Sequence, residues 1–567
     1  MRRGAVLRPA PPRRGRAGQG SEEAQTRRSL PRAQCLGQSV DVVEAPRIAI
    51  MDTTLRDGEQ TPDVSYSPAE KLQLARIFLG DLKVDRIEIA STRVSEGERE
   101  AARLVAAWAR KADWLPRVEI LGYCDGKTSA EWIAAVGGGV LNLLAKGSER
   151  HCRGQLGKTP AEHRASVVET VRHARRKRLL VNVYLEDWSQ GVRESPDYVF
   201  ALVQELVRLE VDRIYLPDTL GVLSPESTSR FVALMVAAWP NTWFEFHAHN
   251  DYGLATANCL AAVAAGARGI HTSVNGMGER SGNTRLAEVV TALHDQTSFR
   301  TGVDESRLLA ASRVVETFSG KDVAANTPIV GRDVFTQTAG IHADGDAKGE
   351  LYASRLLPER FGRERRYALG KLSGKASLEQ NLRHLGIELP EADRALVLRR
   401  IIELGDKKHT VVPEDLPSII ADVLKAPAAS RVKVESYRVT VAKGELPLAE
   451  VTVSYRGRTH KAQSAGDGGY DAFMKALAKA LDGSGIELPR LEDFRVRIPP
   501  GGRTEALVET LISWRYDDGG ATFSTLGVDS DQMAAAVIAT EKMLNAARGA
   551  RGVRRNKPRL RRRGPRG

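Results

Sequence analysis

The chain has 567 residues, 42% of them hydrophobic, four cysteines and a formal net charge of +13. No apolar run reaches the roughly 18 residues of a membrane span, and the scattered Cys35, Cys124, Cys152 and Cys259 argue against a disulfide framework or a thiolate zinc site and for a reducing compartment, the cytoplasm. The charge sits at the ends: residues 1–46 carry nine Arg against four acids and residues 547–567 nine Arg and one Lys with no acid, so the middle is slightly acidic and nucleic-acid binding rests on two basic tails alone.

Residues 1–45 are Arg-, Pro- and Gly-rich without an apolar signal core, which reads as a disordered tail or an over-long start. From residue 47, short runs rich in Ile, Val and Leu alternate with helix-like stretches. The runs are RIAIMDTTLR (47–56), DRIEIAS (85–91), VEILGYCD (118–125), VLNLLAKG (140–147), LVNVYLEDW (180–188), RIYLPDTLG (213–221), FEFHAHND (244–251) and GIHTSVNGMG (269–278). Two intervening helices open with Ser-Pro and a nearby Glu, an N-terminal signal. Eight strand–helix units over residues 46–300 predict an α/β fold, a (β/α)8 TIM barrel. A doubly wound sheet would want a Gly-rich phosphate turn after the first strand, where the sequence reads TTLRDGEQ. Residues 301–430 read as helical linker subdomains. Residues 431–546 turn β-rich and predict an α+β domain of duplicated ββα units. Residues 547–567 form the second basic tail, also expected to be disordered.

In such a barrel the chemistry gathers where the strands end at their C-terminal side. Strand one ends in Arg56-Asp57, strand five in Tyr184-Leu-Glu186, strand six in Asp218-Thr219, strand seven in His247-Ala-His249, and strand eight leads to Asn283. Residues two apart on a strand share a face, so His247 and His249 point together. With Asp57 they make a workable divalent-metal set with positions left for a chelating substrate.

The stretches DTTLRDGEQ and HAHNDYGLATAN…NGMGERSGN resemble the two signatures of the metal-dependent Claisen-type synthases, the 2-isopropylmalate, homocitrate and citramalate synthases with their related lyases. The resemblance spans about residues 46–546. Within the family, VLNLLAKGS, NVYLEDWS, PDTLGVLSPE, DVFTQTAGIHADGDAKG and GDGGYDAF are most similar to the citramalate branch. It implies a divalent metal (Mn, Zn, Co or Mg) on Asp57, His247 and His249 with Asn283 at or near its coordination sphere, and acetyl-CoA as co-substrate. It implies that Arg56 stabilises charge on the keto oxygen, Thr219 holds the substrate carboxylate and Glu186 orients substrate or relays protons. It also implies that His342 is supplied near the CoA substrate from a partner subunit, which expects a homodimer.

Leu121, Leu144 and Tyr184 would line a short apolar pocket, with Asn142 and Tyr184 standing where 2-isopropylmalate synthases often carry His and Ser. The expected acceptor is therefore pyruvate, with 2-oxoisovalerate the alternative. The C-terminal domain resembles the family's effector domain. The expected effector is isoleucine, with leucine second, bound near Tyr470, Asp471, Leu491 and Ile498, and Ser530 stands where a proline is expected. A lyase of the hydroxymethylglutaryl type would lack the long C-terminal region with its two halves. A basic-tailed nucleic-acid binder is the non-enzymatic rival, and it would lose its binding with residues 1–46 and 547–567 removed.

Overall fold

The computed structural model describes residues 46–554 except Arg93, Glu350, Gly386 and residues 407–410, 425–431, 498–507 and 517–522. The tail expected at 1–45 lies outside the described residues, as does the tail expected at 547–567 from residue 555 on; its first residues, 547–554, instead end the final helix at Arg554. Eight parallel strands close into a barrel in chain order: β1 (Ala49–Asp52), β2 (Arg86–Ser91), β3 (Val118–Tyr123), β4 (Val140–Lys146), β5 (Leu180–Glu186), β6 (Arg213–Asp218), β7 (Phe244–Ala248) and β8 (Gly269–Thr272). Each lies within one of the eight apolar runs. The helices begin where the sequence signals them. Ser67 caps Pro68–Arg76 in a reciprocal box with Glu70, and Ser224 caps Pro225–Ala238. At the closing seam β1 pairs with β8, and the Ile48 amide donates to the Arg300 carbonyl at 2.8 Å.

Alternation along each strand divides the barrel into two environments. Outward side chains such as Ile89, Leu143, Val183 and Phe246 pack under the helices in one large apolar core. Many of the inward ones are polar. Register sets Asn142, Leu144 and Lys146 of β4 beside Asn182, Tyr184 and Glu186 of β5. Lower in the barrel Arg86 pairs with both Glu119 and Glu245, and Tyr215 Oη donates to Glu119. Isolated charges there would be prohibitive; mutual pairing is what makes a polar interior tolerable. A small inward apolar cluster of Met51, Leu121, Tyr184 and Tyr215, with Leu144 against it, sits among these groups.

Beyond the barrel, helices Leu308–Ser319, Gly340–Ala347, Lys375–His384, Glu391–Asp406 and Leu416–Val423 follow, and the last three share a core built on Leu382, Ile401 and Leu416. Lys542, on the final helix, pairs with Asp415, so the segment leading into Leu416–Val423 also touches the C-terminal domain. That domain holds two repeated units. In one, β9 (Lys433–Thr440), β10 (Leu448–Tyr455) and β11 (Arg458–Ala465) form an antiparallel sheet under helix Gly469–Ala480. In the other, β12 (Arg490–Arg497), β13 (Val508–Arg515) and β14 (Phe523–Asp529) lie under Gln532–Arg554. The duplication is present with three strands per unit where the sequence pattern shows two. The extra strands, β11 and β12, are polar and mostly exposed sheet edges, so they carry no apolar alternation to read.

Candidate active site

Strand β7 is buried along its whole length and carries His247 inward, with His249 just past its end. Asp57 reaches the same point from the turn after β1. His247 Nε2 lies 3.3 Å from Asp57 Oδ2 and 3.3 Å from His249 Nε2, and His249 Nε2 lies 3.9 Å from Asp57 Oδ2. Donors bound to one cation at about 2.0–2.2 Å stand roughly 3.0–3.5 Å apart in tetrahedral or octahedral order, so these three atoms have nearly the spacing of a metal-binding face. Among the described residues this is the cluster of His, Cys and acidic groups that could hold an ion. Asn283 donates through Nδ2 to Asp57 Oδ2 at 3.1 Å and to the Met277 carbonyl at 2.9 Å, while its Oδ1 is buried without a hydrogen-bond partner. An unpaired acceptor beside the cluster suits a residue at the edge of a coordination sphere. Gly278, at φ +152°, makes this placement possible: a Cβ there would collide with the Asn283 amide. The glycines of GMGERSG are thus required by close approach.

The electrostatics favour a cation. Burial opposes ionisation of Asp57, but Arg56 beside it and the hydrogen bond to His247 hold its carboxyl well below the usual range. Burial pushes His249 down to about 4 against the pull of Asp57, which leaves its imidazole neutral and able to ligate.

Arg56 is pinned from three sides. Its Nη1 lies 3.2 Å from Asp57 Oδ1, its Nε donates to Glu88 Oε2 at 2.6 Å, and its Nη2 approaches Tyr184 Oη at 3.4 Å. Glu88 is buried and raised above its ordinary value by that burial, against Arg56 and a 2.7 Å hydrogen bond from Asn142. A guanidinium oriented this way is a preorganised cation beside the cluster. Tyr184 contacts Arg56, stands edge-on to His247 and belongs to the inward apolar cluster with Leu121 and Leu144. The three residues read from sequence as a pocket wall therefore lie together next to the metal-ligand candidates.

Glu186 at the end of β5 is half-buried and ion-pairs with Lys146 of β4, itself only 7% exposed. Immediately after it, Asp187 adopts a left-handed backbone (φ +64°) and accepts from Ser148 Oγ at 2.7 Å, turning the chain at the mouth. Thr219 Oγ1 accepts from the Asp187 amide at 2.9 Å. His342 lies outside this group: its partners among the described residues are Gln337, 3.1 Å away, and the ring of Tyr352, 4.3 Å between centroids.

Sequence reading missed Glu88, Lys146, Glu245 and His271. Each has the inward parity of its strand. Lys146 continues the row Asn142, Leu144, and a charged residue on that row at a strand end was the available signal. In the C-terminal domain, Tyr470 Oη bonds Thr540 Oγ1 at 2.7 Å and its ring meets Phe494 at 4.9 Å, joining the two units. Asp471 instead accepts from the Asp467 amide and pairs with Lys475 within its own helix start, Leu491 is 41% exposed on β12, and Ile498 lies outside the described residues.

Three family models tile the chain: HMGL-like over residues 47–315, homocitrate synthase post-HMGL domain-like over 329–409, and the LeuA allosteric (dimerisation) domain over 410–548. An (R)-citramalate synthase from Methanocaldococcus jannaschii is 33% identical over 501 residues, covering 88% of this chain and 99% of that protein. A Methanopyrus kandleri protein named "Probable 2-isopropylmalate synthase" is 36% identical over 503 residues, covering 88% and 98%. The chain belongs to the citramalate and 2-isopropylmalate synthase family. It carries the barrel, the connecting helices and the paired C-terminal units in the order of the three family models, and it is accordingly a metal-dependent Claisen-type synthase. Among solved structures, HMG-CoA lyase from Brucella melitensis is similar at 24% identity and a TM-score of 0.44, covering 49% of this chain and all of the lyase. No helix among the described residues is long and apolar enough to cross a membrane.

Proposed function

We propose that the protein condenses acetyl-CoA with pyruvate and water to give (R)-citramalate and CoA, an entry to isoleucine synthesis from pyruvate. The observation that carries this reading is the inward cluster of Leu121, Leu144 and Tyr184 beside Asp57 and His247. Tyr184, its hydroxyl held among Arg56, Glu88 and His271, would fill room that a branched substituent needs. A methyl group needs none of it.

A divalent cation held by Asp57, His247 and His249 would polarise the keto group and hold the acid. The chain's own residues then do the rest. Arg56, prevented by Glu88 and Asp57 from swinging away, faces the keto oxygen as that oxygen gains negative charge. Thr219 has a hydroxyl hydrogen left to donate to the substrate carboxylate. The acetyl methyl gives up a proton to a base, the new C–C bond forms at the keto carbon, and the former keto oxygen takes up a proton. Water then cleaves the thioester and releases CoA. Glu186, kept in place by Lys146, is the carboxylate at the mouth that serves this proton traffic, and His342 joins it from a second copy of the chain, which makes the working unit a homodimer. The C-terminal units take isoleucine as feedback inhibitor, with the site built around Tyr470, and the enzyme works in the cytoplasm.

The alternative acceptor is 2-oxoisovalerate, whose condensation gives 2-isopropylmalate. Pocket walls discriminate by about 1–3 kcal/mol per methylene through lost burial and by more through steric exclusion. CoA release with each keto acid decides between them. A kcat/KM for pyruvate at least tenfold above that for 2-oxoisovalerate supports the reading, and an equal or inverted ratio refutes it.

A further inference from the structure

Beside the metal-ligand candidates a hydrogen-bonded chain of buried side chains leads from Tyr184 to Glu245. Tyr184 Oη lies 3.2 Å from His271 Nδ1 and 3.3 Å from Glu88 Oε2. His271 Nε2 lies 3.1 Å from Glu245 Oε2, which also accepts from Arg86. All of these side chains are buried. Room for the Glu245 carboxylate comes from Gly269, where an added Cβ would stand 2.7 Å from Glu245 Cδ.

The protons in this chain can be assigned. The buried Glu245 carboxylate is ion-paired with the Arg86 guanidinium, which donates to its Oε2, so it faces His271 as an acceptor. The His271 ring is buried between Glu245 and Tyr184, and an imidazole with one N–H has a single hydrogen to give to one of them. That hydrogen belongs on Nε2, facing Glu245, and Nδ1 therefore turns a lone pair toward Tyr184. Glu88 Oε2, the other acceptor near the phenol, already receives the 2.6 Å hydrogen bond from Arg56. The rings of His271 and Tyr215 stand edge-on to the phenol with centroids 5.5 and 4.7 Å away.

We propose that His271, oriented by Glu245, is a positioning residue for the acceptor pocket: it holds the Tyr184 hydroxyl and so fixes the phenol as the wall that limits the size of the keto acid. This rests on the pyruvate reading above. It adds that the selectivity resides in the support of Tyr184 as well as in its bulk, and that the support begins on β7 and β8, across the barrel from the pocket's leucines.

Two near-isosteres separate the two halves of the histidine. An Asn amide overlays Nδ1 and keeps a partner for Tyr184; a Gln amide overlays Nε2 and keeps only the partner for Glu245. The experiment measures kcat/KM for pyruvate, for 2-oxobutanoate (one methylene longer) and for 2-oxoisovalerate, using the full-length metal-loaded enzyme as wild type, H271N, H271Q, Y184F and H271Q/Y184F. One methylene in an apolar pocket is worth about 10–200-fold. We expect the pyruvate-to-oxobutanoate ratio to fall about tenfold, the low end of that range, in H271Q and in Y184F. H271N should stay within about threefold of wild type, and H271Q should change the ratio less than about twofold in the Y184F background. An unchanged ratio in H271Q, or an H271Q effect that adds in full to that of Y184F, overturns the inference while leaving the pyruvate reading standing. If H271Q gives no folded protein, an unchanged ratio in Y184F overturns it equally. A wild type that uses 2-oxoisovalerate as readily as pyruvate overturns the reading itself and the inference with it.

Discussion

Replacing Arg56 by lysine keeps the charge and removes the geometry, which makes R56K the sharpest probe of the catalytic arrangement. The guanidinium answers Asp57 at 3.2 Å, Glu88 at 2.6 Å and Tyr184 at 3.4 Å through three different nitrogens. A single ammonium on a flexible stem cannot hold Glu88 and also present a fixed donor to the keto oxygen. Losing one preorganised donor to a developing oxyanion costs about 10²–10³ in kcat. Because that interaction strengthens only as charge develops, kcat and kcat/KM should fall together, with KM for pyruvate little changed. Glu88, already raised by burial, loses its strongest partner, and an unsatisfied buried group costs about 1–3 kcal/mol. The melting temperature should therefore drop by a few degrees. The assay is thiol release from acetyl-CoA at saturating pyruvate, with thermal melts on the same samples. A kcat within about threefold of wild type would refute the assignment of Arg56 to the developing charge.

Asp57→Ala and His247→Ala should each abolish stoichiometric metal retention and lower activity by at least about 10³-fold, read by elemental analysis and CoA release; tight metal binding in either variant would contradict the ligand set. Thermal stability should depend on pH through buried imidazoles, two of them beyond the ligand cluster. His163 is pushed down to about 4 by burial, aided by nearby Lys158, and His271 to about 3, whereas both protonate near 6.5 when unfolded. Below 6.5 the unfolded chain binds protons that the folded one refuses, so the stability these groups contribute is complete above about pH 6.5 and is lost as pH falls toward 4. A melting temperature flat from pH 7 to 4.5 would contradict this. Isoleucine should inhibit the full-length enzyme and do so more weakly in Tyr470→Ala, whose ring joins the two C-terminal units; inhibition unchanged in that variant would remove Tyr470 from the effector site.

The barrel was legible because its outward faces obey one rule. Apolar runs of strand length, bounded by capped helices, recur eight times, and the His-x-His row on β7 announces itself by parity. The pairings inside the barrel were not legible, since they depend on which strand ends up beside which. Lys146 meets Glu186 because β4 and β5 pair in that register, and His271 meets Tyr184 across the closed barrel. Nothing in the spacing of 146 and 186, or of 184 and 271, encodes either contact. β11 and β12 escaped notice for the opposite reason: as exposed edges they are free of the apolar pattern on which strand reading depends.

The central claim is that this site joins acetyl-CoA to pyruvate in preference to a branched keto acid. The most direct test is a competition: the metal-loaded enzyme is given acetyl-CoA with equal concentrations of pyruvate and 2-oxoisovalerate, and the acids formed are separated and identified by mass. Their ratio is the ratio of the two kcat/KM values. A tenfold or greater excess of citramalate over 2-isopropylmalate is the predicted result; 2-isopropylmalate equal to or exceeding citramalate would contradict it.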